Sequence, residues 1–270
     1  RRLRTLVGAA PPLAPLEAAG FTLVGNPHGR ALTEDELIAL LPGCTATIAG
    51  GEPNTERVLP TAPQLAVIAR VGVGYDRIDV TAATRHDVAV AMAFGTNHEA
   101  VADHTLALLG ALTHRLVEHH ADMAAGRWRQ GFHGSLHRLT LGIVGFGRIG
   151  RAVAKRGHGF DMEILVTDPA MDAETVARLG CTLVDLDTLL ARSDVVSIHC
   201  PRLPSTVNLI DAARLARMKR SALLLNTARG GIVDEAALHA ALVEGRIAGA
   251  GLDVFAQEPP VGSPLVKLPN

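Results

Sequence analysis

No stretch of this chain approaches the roughly 20 consecutive apolar residues that a membrane span requires, so no membrane partner is expected. No charge of either sign dominates. The chain has 26 Lys and Arg against 27 Asp and Glu, a net charge of −1, which argues against a nucleic-acid surface or a polyanion partner. Lysine is confined to positions 155, 219 and 267, and no function follows from that. Cysteine is sparse as well. Cys44, Cys181 and Cys200 are far apart and odd in number, with no C-x-x-C pair and no Cys/His cluster of zinc spacing. Reduced thiols in the cytoplasm are therefore expected, and a metal site is not. The opening Arg1-Arg2-Leu3-Arg4 carries signal-like charge, but the apolar stretch after it is brief and meets Pro11-Pro12. A first β-strand is the better expectation there.

What is present points to a globular protein with a large core: 48% of 270 residues are apolar and 20% are charged, enough for two ordinary domains. The chain is organised around residues 139–168, LTLGIVGFGRIGRAVAKRGHGFDMEILVTD. A short apolar run, 141–144, reads as a buried parallel strand. Gly145-Phe146-Gly147-Arg148-Ile149-Gly150 follows with G-x-G-x-x-G spacing, then a helical segment to about Arg156 and a second strand, 163–167, ending in Asp168. Gly145 permits the tight turn, Gly147 lets the backbone approach a pyrophosphate, and Gly150 lets the helix pack closely on the strand. The helix start favours the diphosphate anion. Asp168, 18 residues beyond Gly150, is placed to accept hydrogen bonds from ribose hydroxyls and to repel a 2′-phosphate, which favours NAD over NADP.

Upstream, the runs 4–7, 21–24, 46–49, 65–71 and 88–92 read as strands alternating with helix-like segments. Thr33 with Glu36 has capping-box spacing. Such alternation predicts a parallel sheet covered on both faces. Two glycines just past a strand, in Gly72-Val73-Gly74, offer either a backbone grip for a carboxylate or a plain strand-to-helix turn. Residues 98–120 read as one helix connecting two domains, with Val101, Leu108, Leu109, Leu112 and Leu116 at helical intervals. Its histidines, His104, His114, His119 and His120, read as surface residues rather than ligands, and Trp128 as packing or interface.

Beyond 139 the βα pattern continues, with strands expected at 194–200, 221–226 and 250–255. Ligands bind outside the carboxyl ends of such strands, which puts Cys200, Thr227-Ala228-Arg229 and Asp253 on the rim of the glycine loop. Arg229, between Ala228 and two glycines, suits bidentate binding of a carboxylate or a structural ion pair. His199 reads as a wall of the cofactor pocket, and Glu258 alone as an ordinary loop acid.

RVGVGYDRID (70–79), NHEAVADHTLALL (97–109), TLGIVGFGRIGRAVAKR (140–156), SDVVSIHCPRLPSTVNLI (193–210), MKRSALLLNTARGGIVDEAAL (218–238) and GRIAGAGLDVFAQEP (245–259) together resemble the D-2-hydroxyacid dehydrogenases, relatives of D-3-phosphoglycerate dehydrogenase. The resemblance covers nearly the whole chain. It implies an α/β protein of two Rossmann-like doubly wound parallel sheets: a flavodoxin-like substrate domain (1–97) and an NAD-binding domain (98–270), with the active site in the cleft between them. It also implies NAD-dependent oxidation of a small 2-hydroxy acid or reduction of the 2-oxo acid, and a homodimer formed through the NAD-binding domain. Among candidate substrates are phosphoglycerate, glycerate/hydroxypyruvate and glyoxylate.

By position, Arg229 matches the arginine that binds the carboxylate and polarises the carbonyl, and Glu258 the glutamate that partners the catalytic histidine. Gly72, Val73 and Gly74 match the backbone carboxylate grip. Gly145, Gly147, Arg148, Ile149, Gly150, Asp168, Cys200, Thr227, Ala228, Arg229 and Asp253 match cofactor contacts. The resemblance places the family histidine in a T-P-H motif beyond Asn270, with the C-terminal return into the first domain, so the 270-residue chain is expected to bind NAD but turn over poorly. Asp103 stands where the family more often has glutamate. A second family type, the C-terminal-binding-protein corepressors, uses NAD largely as an assembly signal and is the alternative.

Overall fold

The computed structural model describes residues 4–7, 13–131 and 134–270, the first four by backbone path alone; 1–3 and Pro11-Pro12, weighed above as a signal segment, lie outside the described residues. The chain divides into two compact units, Arg1–Asn97 and His98–Asn270.

In the first unit β1 (Arg4–Val7), α1 (Ala14–Ala18), β2 (Thr22–Gly25), α2 (Glu34–Leu40), β3 (Ala46–Ala49), β4 (Val67–Arg70), α3 (Val80–Arg85) and β5 (Ala89–Met92) follow one another. The strands form one parallel sheet in the order β2-β1-β3-β4-β5, the flavodoxin-like winding, whose direction reverses between β1 and β3. The capping box forms: Thr33 Oγ1 accepts from Glu36 N–H, and Glu36 returns its carboxylate to the Thr33 N–H. Leu37, Leu41, Leu59 and Ile68 are the largest side chains sealed in this unit's core.

The second unit runs through α4 (His98–Thr113), α5 (Leu116–Ala124), β6 (Thr140–Val144), α6 (Arg148–His158), β7 (Glu163–Thr167), α7 (Ala173–Arg178), β8 (Thr182–Leu183) and α8 (Leu186–Arg192). It closes with β9 (Val195–Ile198), α9 (Ala212–Leu215), β10 (Leu223–Asn226), α10 (Glu235–Val243) and β11 (Gly249–Leu252). Its parallel sheet has the order β11-β10-β9-β6-β7-β8, which is the dinucleotide-binding winding with β6 as first strand. Strand residues alternate between two cores because successive side chains point to opposite faces. Ile143, Ile164, Val166 and Leu225 fill one face, and Val144, Leu165, Val196 and Leu224 the other. Burial on both faces explains why these strands read as unbroken apolar runs.

The single helix expected over 98–120 is two helices. Arg115 takes a left-handed conformation (φ 49°) and breaks the run between α4 and α5. Leu116, assigned to the buried stripe by its spacing, is 55% exposed. Thr113 and His114 are weak helix formers beside the break, and periodicity across three turns cannot register a single reversed residue.

Candidate functional site

The direction of the second sheet reverses between β6 and β9, and the glycine turn sits there. Gly145 has φ 94°, and a Cβ on it would lie 2.6 Å from the Cys200 nitrogen. A Cβ on Gly150 would lie 2.2 Å from the Gly145 oxygen, so α6 starts directly against the turn. Gly147 differs: nothing lies within 4 Å of its Cβ position, and it is exposed. Helix α6 begins at Gly147 with no side-chain cap, whereas α7, α8, α9 and α10 are capped by Asp172, Asp185, Asp211 and Asp234. Its first amides and its dipole are thus left to an anion on the open side of Gly147. Arg148 is exposed and Ile149 half-buried in that first turn.

Asp168 directly follows β7, beside this turn. Its Oδ2 accepts from the Phe146 N–H (2.7 Å) and its Oδ1 from the Ala170 N–H (2.8 Å), which locks the carboxylate while each oxygen keeps a lone pair for a hydroxyl. Nothing in the sequence marked Arg151, yet it braces the turn: its Nε donates to the Phe146 oxygen (3.1 Å) and its guanidinium lies 5.7 Å from the Phe146 ring centre. A diphosphate on uncapped amides and a ribose on a fixed carboxylate both fit this cradle.

At the end of β9, the His199 N–H donates to the Val144 oxygen (2.7 Å). The ring pairs through Nε2 with Ser197 Oγ at 2.8 Å. The residue keeps some surface, but Nδ1 is sealed and has no partner among the described residues. Burial pushes the imidazole down to about 3. In the unfolded chain it would titrate near 6.5, so the unfolded state binds the extra proton below that pH. His199 should therefore cost stability as pH falls from 6.5 toward 3, by up to about 1.4 kcal/mol per unit. Urea unfolding on either side of pH 6.5 checks this: His199→Gln should make the acid slope shallower by one proton's worth, and an unchanged slope would refute it. Cys200 is protonated at neutral pH, its thiol pushed up to about 11 by burial, with the Asp168 carboxylate adding to the shift.

The loop after β10 is shaped by Asn226, which is 2% exposed. Its Oδ1 accepts from the Ala228 N–H (3.1 Å) and its Nδ2 donates to the Arg229 oxygen (2.9 Å), so one amide holds the turn from inside. Thr105 of α4 gives its hydroxyl proton to the Val101 oxygen (2.8 Å) and lies 3.0 Å from Thr227 Oγ1. Thr227 must then donate to Thr105, which leaves it only acceptor capacity toward a ligand. Arg229 donates from Nη1 to the Ala228 oxygen (2.6 Å). A Cβ on Gly230 would fall 1.9 Å from the Phe255 oxygen, so the Arg229 loop and the loop after β11 touch backbone to backbone.

On that second loop the Asp253 N–H donates to the Asn226 oxygen (3.0 Å) and Oδ1 lies 3.3 Å from His104 Nε2. Glu258 Oε1 accepts from the Phe255 N–H (3.0 Å), and Glu235 Oε1 from the Ala256 N–H. The second unit thus brings Arg229, Asp253 and the Glu258 loop together, and its glycine turn lies against Cys200. Sequence reading missed Asn226 and His104. An asparagine ending a strand just before a turn is a signal for the first; nothing marked the second among the surface histidines.

In the first unit the loop after β4 turns at Gly72 (φ 122°), whose oxygen accepts from the Ala93 N–H (3.1 Å). The N–H groups of Gly72, Val73 and Gly74 have no acceptor among the described residues. Consecutive free amides are the kind of group that can bind an anion. No group of three or more His, Cys, Asp or Glu among the described residues is arranged to hold a metal ion, and no described helix is long and apolar enough to cross a membrane.

Comparison with known proteins identifies the family. The D-isomer specific 2-hydroxyacid dehydrogenase NAD-binding domain matches residues 106–270, and the catalytic domain of the same family matches 12–185. The chain is 40% identical over 243 residues to D-3-phosphoglycerate dehydrogenase of Archaeoglobus fulgidus, covering 88% of this chain and 46% of that one. It is 45% identical over 226 residues to glyoxylate reductase of Korarchaeum cryptofilum, covering 81% and 68%. It thus spans about half the length of the phosphoglycerate dehydrogenases it matches. Among solved structures, the TT0316 protein of Thermus thermophilus superposes with a TM-score of 0.90 at 40% identity, over 99% of this chain and 87% of that one. A D-lactate dehydrogenase of Aquifex aeolicus, complexed with NAD and lactic acid, gives 0.84 at 30% identity, over 95% and 78%. With both family domains matched in order and both sheets wound as that family requires, the chain belongs to the D-isomer specific 2-hydroxyacid dehydrogenases and carries their NAD-binding domain.

Proposed function

We propose that this protein is an NAD-dependent D-2-hydroxyacid dehydrogenase, working also as a 2-oxoacid reductase. The observation that carries the reading is the Gly230–Phe255 contact, which joins the arginine loop to the Glu258 loop on the sheet rim that also bears the glycine turn.

Bound at that turn, NAD would supply the hydride acceptor for the alcohol, and NADH the donor for the ketone. The α6 amides with Arg148 and Ile149 would hold the diphosphate, and Asp168 the ribose; its charge would disfavour a 2′-phosphate. Cys200, Thr227, Ala228 and Asp253 would line the remainder of the cofactor, with Thr227 acting as acceptor. Arg229 would orient the substrate and stabilise charge growing on its oxygen. The amides of Gly72, Val73 and Gly74 would take the substrate carboxylate. Glu258 would favour the charged form of the histidine base that the resemblance implies.

A cytoplasmic homodimer suits the surface and the thiols. Leu116, Val117, Met123 and Trp128 form exposed apolar surface on and just after α5, fit for a second copy, and none of Cys44, Cys181 and Cys200 is in a disulfide.

The test is NADH consumption by the full-length protein with glyoxylate, hydroxypyruvate, pyruvate and phosphohydroxypyruvate, alongside its mass in solution. Turnover on at least one acid is expected. NADH binding without turnover on any of them would refute the enzyme reading and favour an NAD-sensing binding protein; a monomer at working concentration would refute the dimer.

A further inference from the structure

We infer that the substrate is a short 2-oxo or 2-hydroxy acid bearing no phosphate, because among the described residues the carboxyl rim of the first sheet provides one anion grip and commits its cations elsewhere. This rests on the reading of the Gly72–Gly74 amides as the substrate's carboxylate site.

The argument turns on Arg70, the last residue of β4 and the cation nearest that grip in sequence. Its Nε donates to the Gly74 oxygen (2.8 Å), and its Nη1 to the oxygens of Val71 and Ala49 (3.3 Å for the latter). One planar fork thus draws in the carbonyls at both ends of the loop and ties them to the neighbouring strand β3. With the Gly72 oxygen taken by Ala93, the Val71, Gly72 and Gly74 carbonyls are all engaged while the Gly72, Val73 and Gly74 amides are not. Arg70 is therefore a positioning residue that builds the carboxylate grip, with its Nε and Nη1 spent on these carbonyls.

The rest of the rim offers little else. Arg30, after β2, forks onto both oxygens of Glu36 at 2.8 and 2.6 Å. After β3 comes an acid: Glu52 is 3% exposed, with Oε2 accepting from the Gly50 N–H (2.6 Å). Residues 93–97 after β5 are uncharged, as are 8–12 in the sequence, and there is no lysine before position 155. Arg77 stands between Asp76 and Asp79, the latter capping α3 through the Ala82 N–H. A phosphate dianion taken out of water needs several charge-assisted bonds. Here one exposed arginine is flanked in sequence by two acids.

Hydroxypyruvate and its phosphate ester differ by the phosphoryl group alone, which makes them the test pair. With the full-length protein and NADH, kcat/KM for hydroxypyruvate should exceed that for the ester by about 100-fold. Arg70→Gln should raise KM for both unphosphorylated acids, hydroxypyruvate and glyoxylate, by a similar factor with kcat little changed, since a looser grip weakens ground and transition states alike. Arg70→Lys should recover only part, because an ammonium cannot span three carbonyls. A preference for the ester, or an Arg70→Gln loss confined to the ester, would overturn the inference and leave the dehydrogenase reading intact. Turnover on none of the three acids, with NADH still bound, would overturn both.

Discussion

Arg229→Ala in the full-length protein should lower kcat/KM for the preferred 2-oxo acid by about 1000-fold, with NADH affinity within about twofold of the parent. The asymmetry follows from how the loop is built. Asn226 fixes the backbone on either side of Thr227 by gripping the Ala228 N–H and the Arg229 oxygen, and neither bond involves the guanidinium. Truncating the side chain therefore keeps both Asn226 bonds and removes the fork together with its Nη1 bond to the Ala228 oxygen. A bidentate guanidinium both orients a carboxylate and stabilises charge on the reacting oxygen, so the loss should fall on kcat as well as on KM. Arg229→Lys should restore little, because an ammonium cannot reproduce the fork. Steady-state kinetics with NADH fluorescence titration decide it. A parallel loss of NADH binding would show that Arg229 holds the loop rather than the substrate, and an unchanged kcat/KM would remove it from catalysis.

The second large effect is expected at the glycine turn, where two neighbouring glycines should behave oppositely. A Cβ at Gly150 would sit 2.2 Å from the Gly145 oxygen, a backbone atom that cannot swing away. Helix α6 would have to lift off the turn, at a cost of about 1–3 kcal/mol or a melting temperature lower by several degrees. The amides meant for the diphosphate would move with it, so Gly150→Ala should weaken NADH binding by about 100-fold. Gly147 has an ordinary backbone conformation (φ −70°), and its Cβ would meet no protein atom within 4 Å. Gly147→Ala should thus leave the melting temperature unchanged yet weaken NADH binding, since the added methyl would stand where the diphosphate approaches. Differential scanning fluorimetry and NADH titration on the two variants separate the effects. Full NADH affinity in Gly147→Ala would mean that the open side of the turn is not the binding side.

Much of the fold is legible in the apolar pattern of the chain alone. Strands β1, β3 and β7 begin and end where their apolar runs do, and most others differ by a residue or two at their ends. Runs of Val, Ile and Leu bounded by turns report burial on both faces, a property of the local chain. The short strand β8 carries no such run, and the break at Arg115 is invisible there because one left-handed residue leaves the helical spacing of its neighbours intact.

By itself the sequence determined which residues could do chemistry: the glycine spacing from Gly145 to Gly150, the acid at the end of the next strand, and an arginine at a strand exit. These are local requirements of turn geometry and helix termini, carried within a few residues of each other. Only the tertiary structure decided what each of them faces. Arg70 and Arg229 look alike as rim arginines in sequence, yet one is bound to the carbonyls of Ala49, Val71 and Gly74 while the other sits on the loop joined to Glu258 through Gly230 and Phe255. Thr105 and Thr227 lie 122 residues apart and share one buried hydrogen bond. His104 meets Asp253 through the packing of α4 against the β11 side of the sheet. Such partners are set by which crossovers bring which strand ends together, and no local pattern of side chains carries that information.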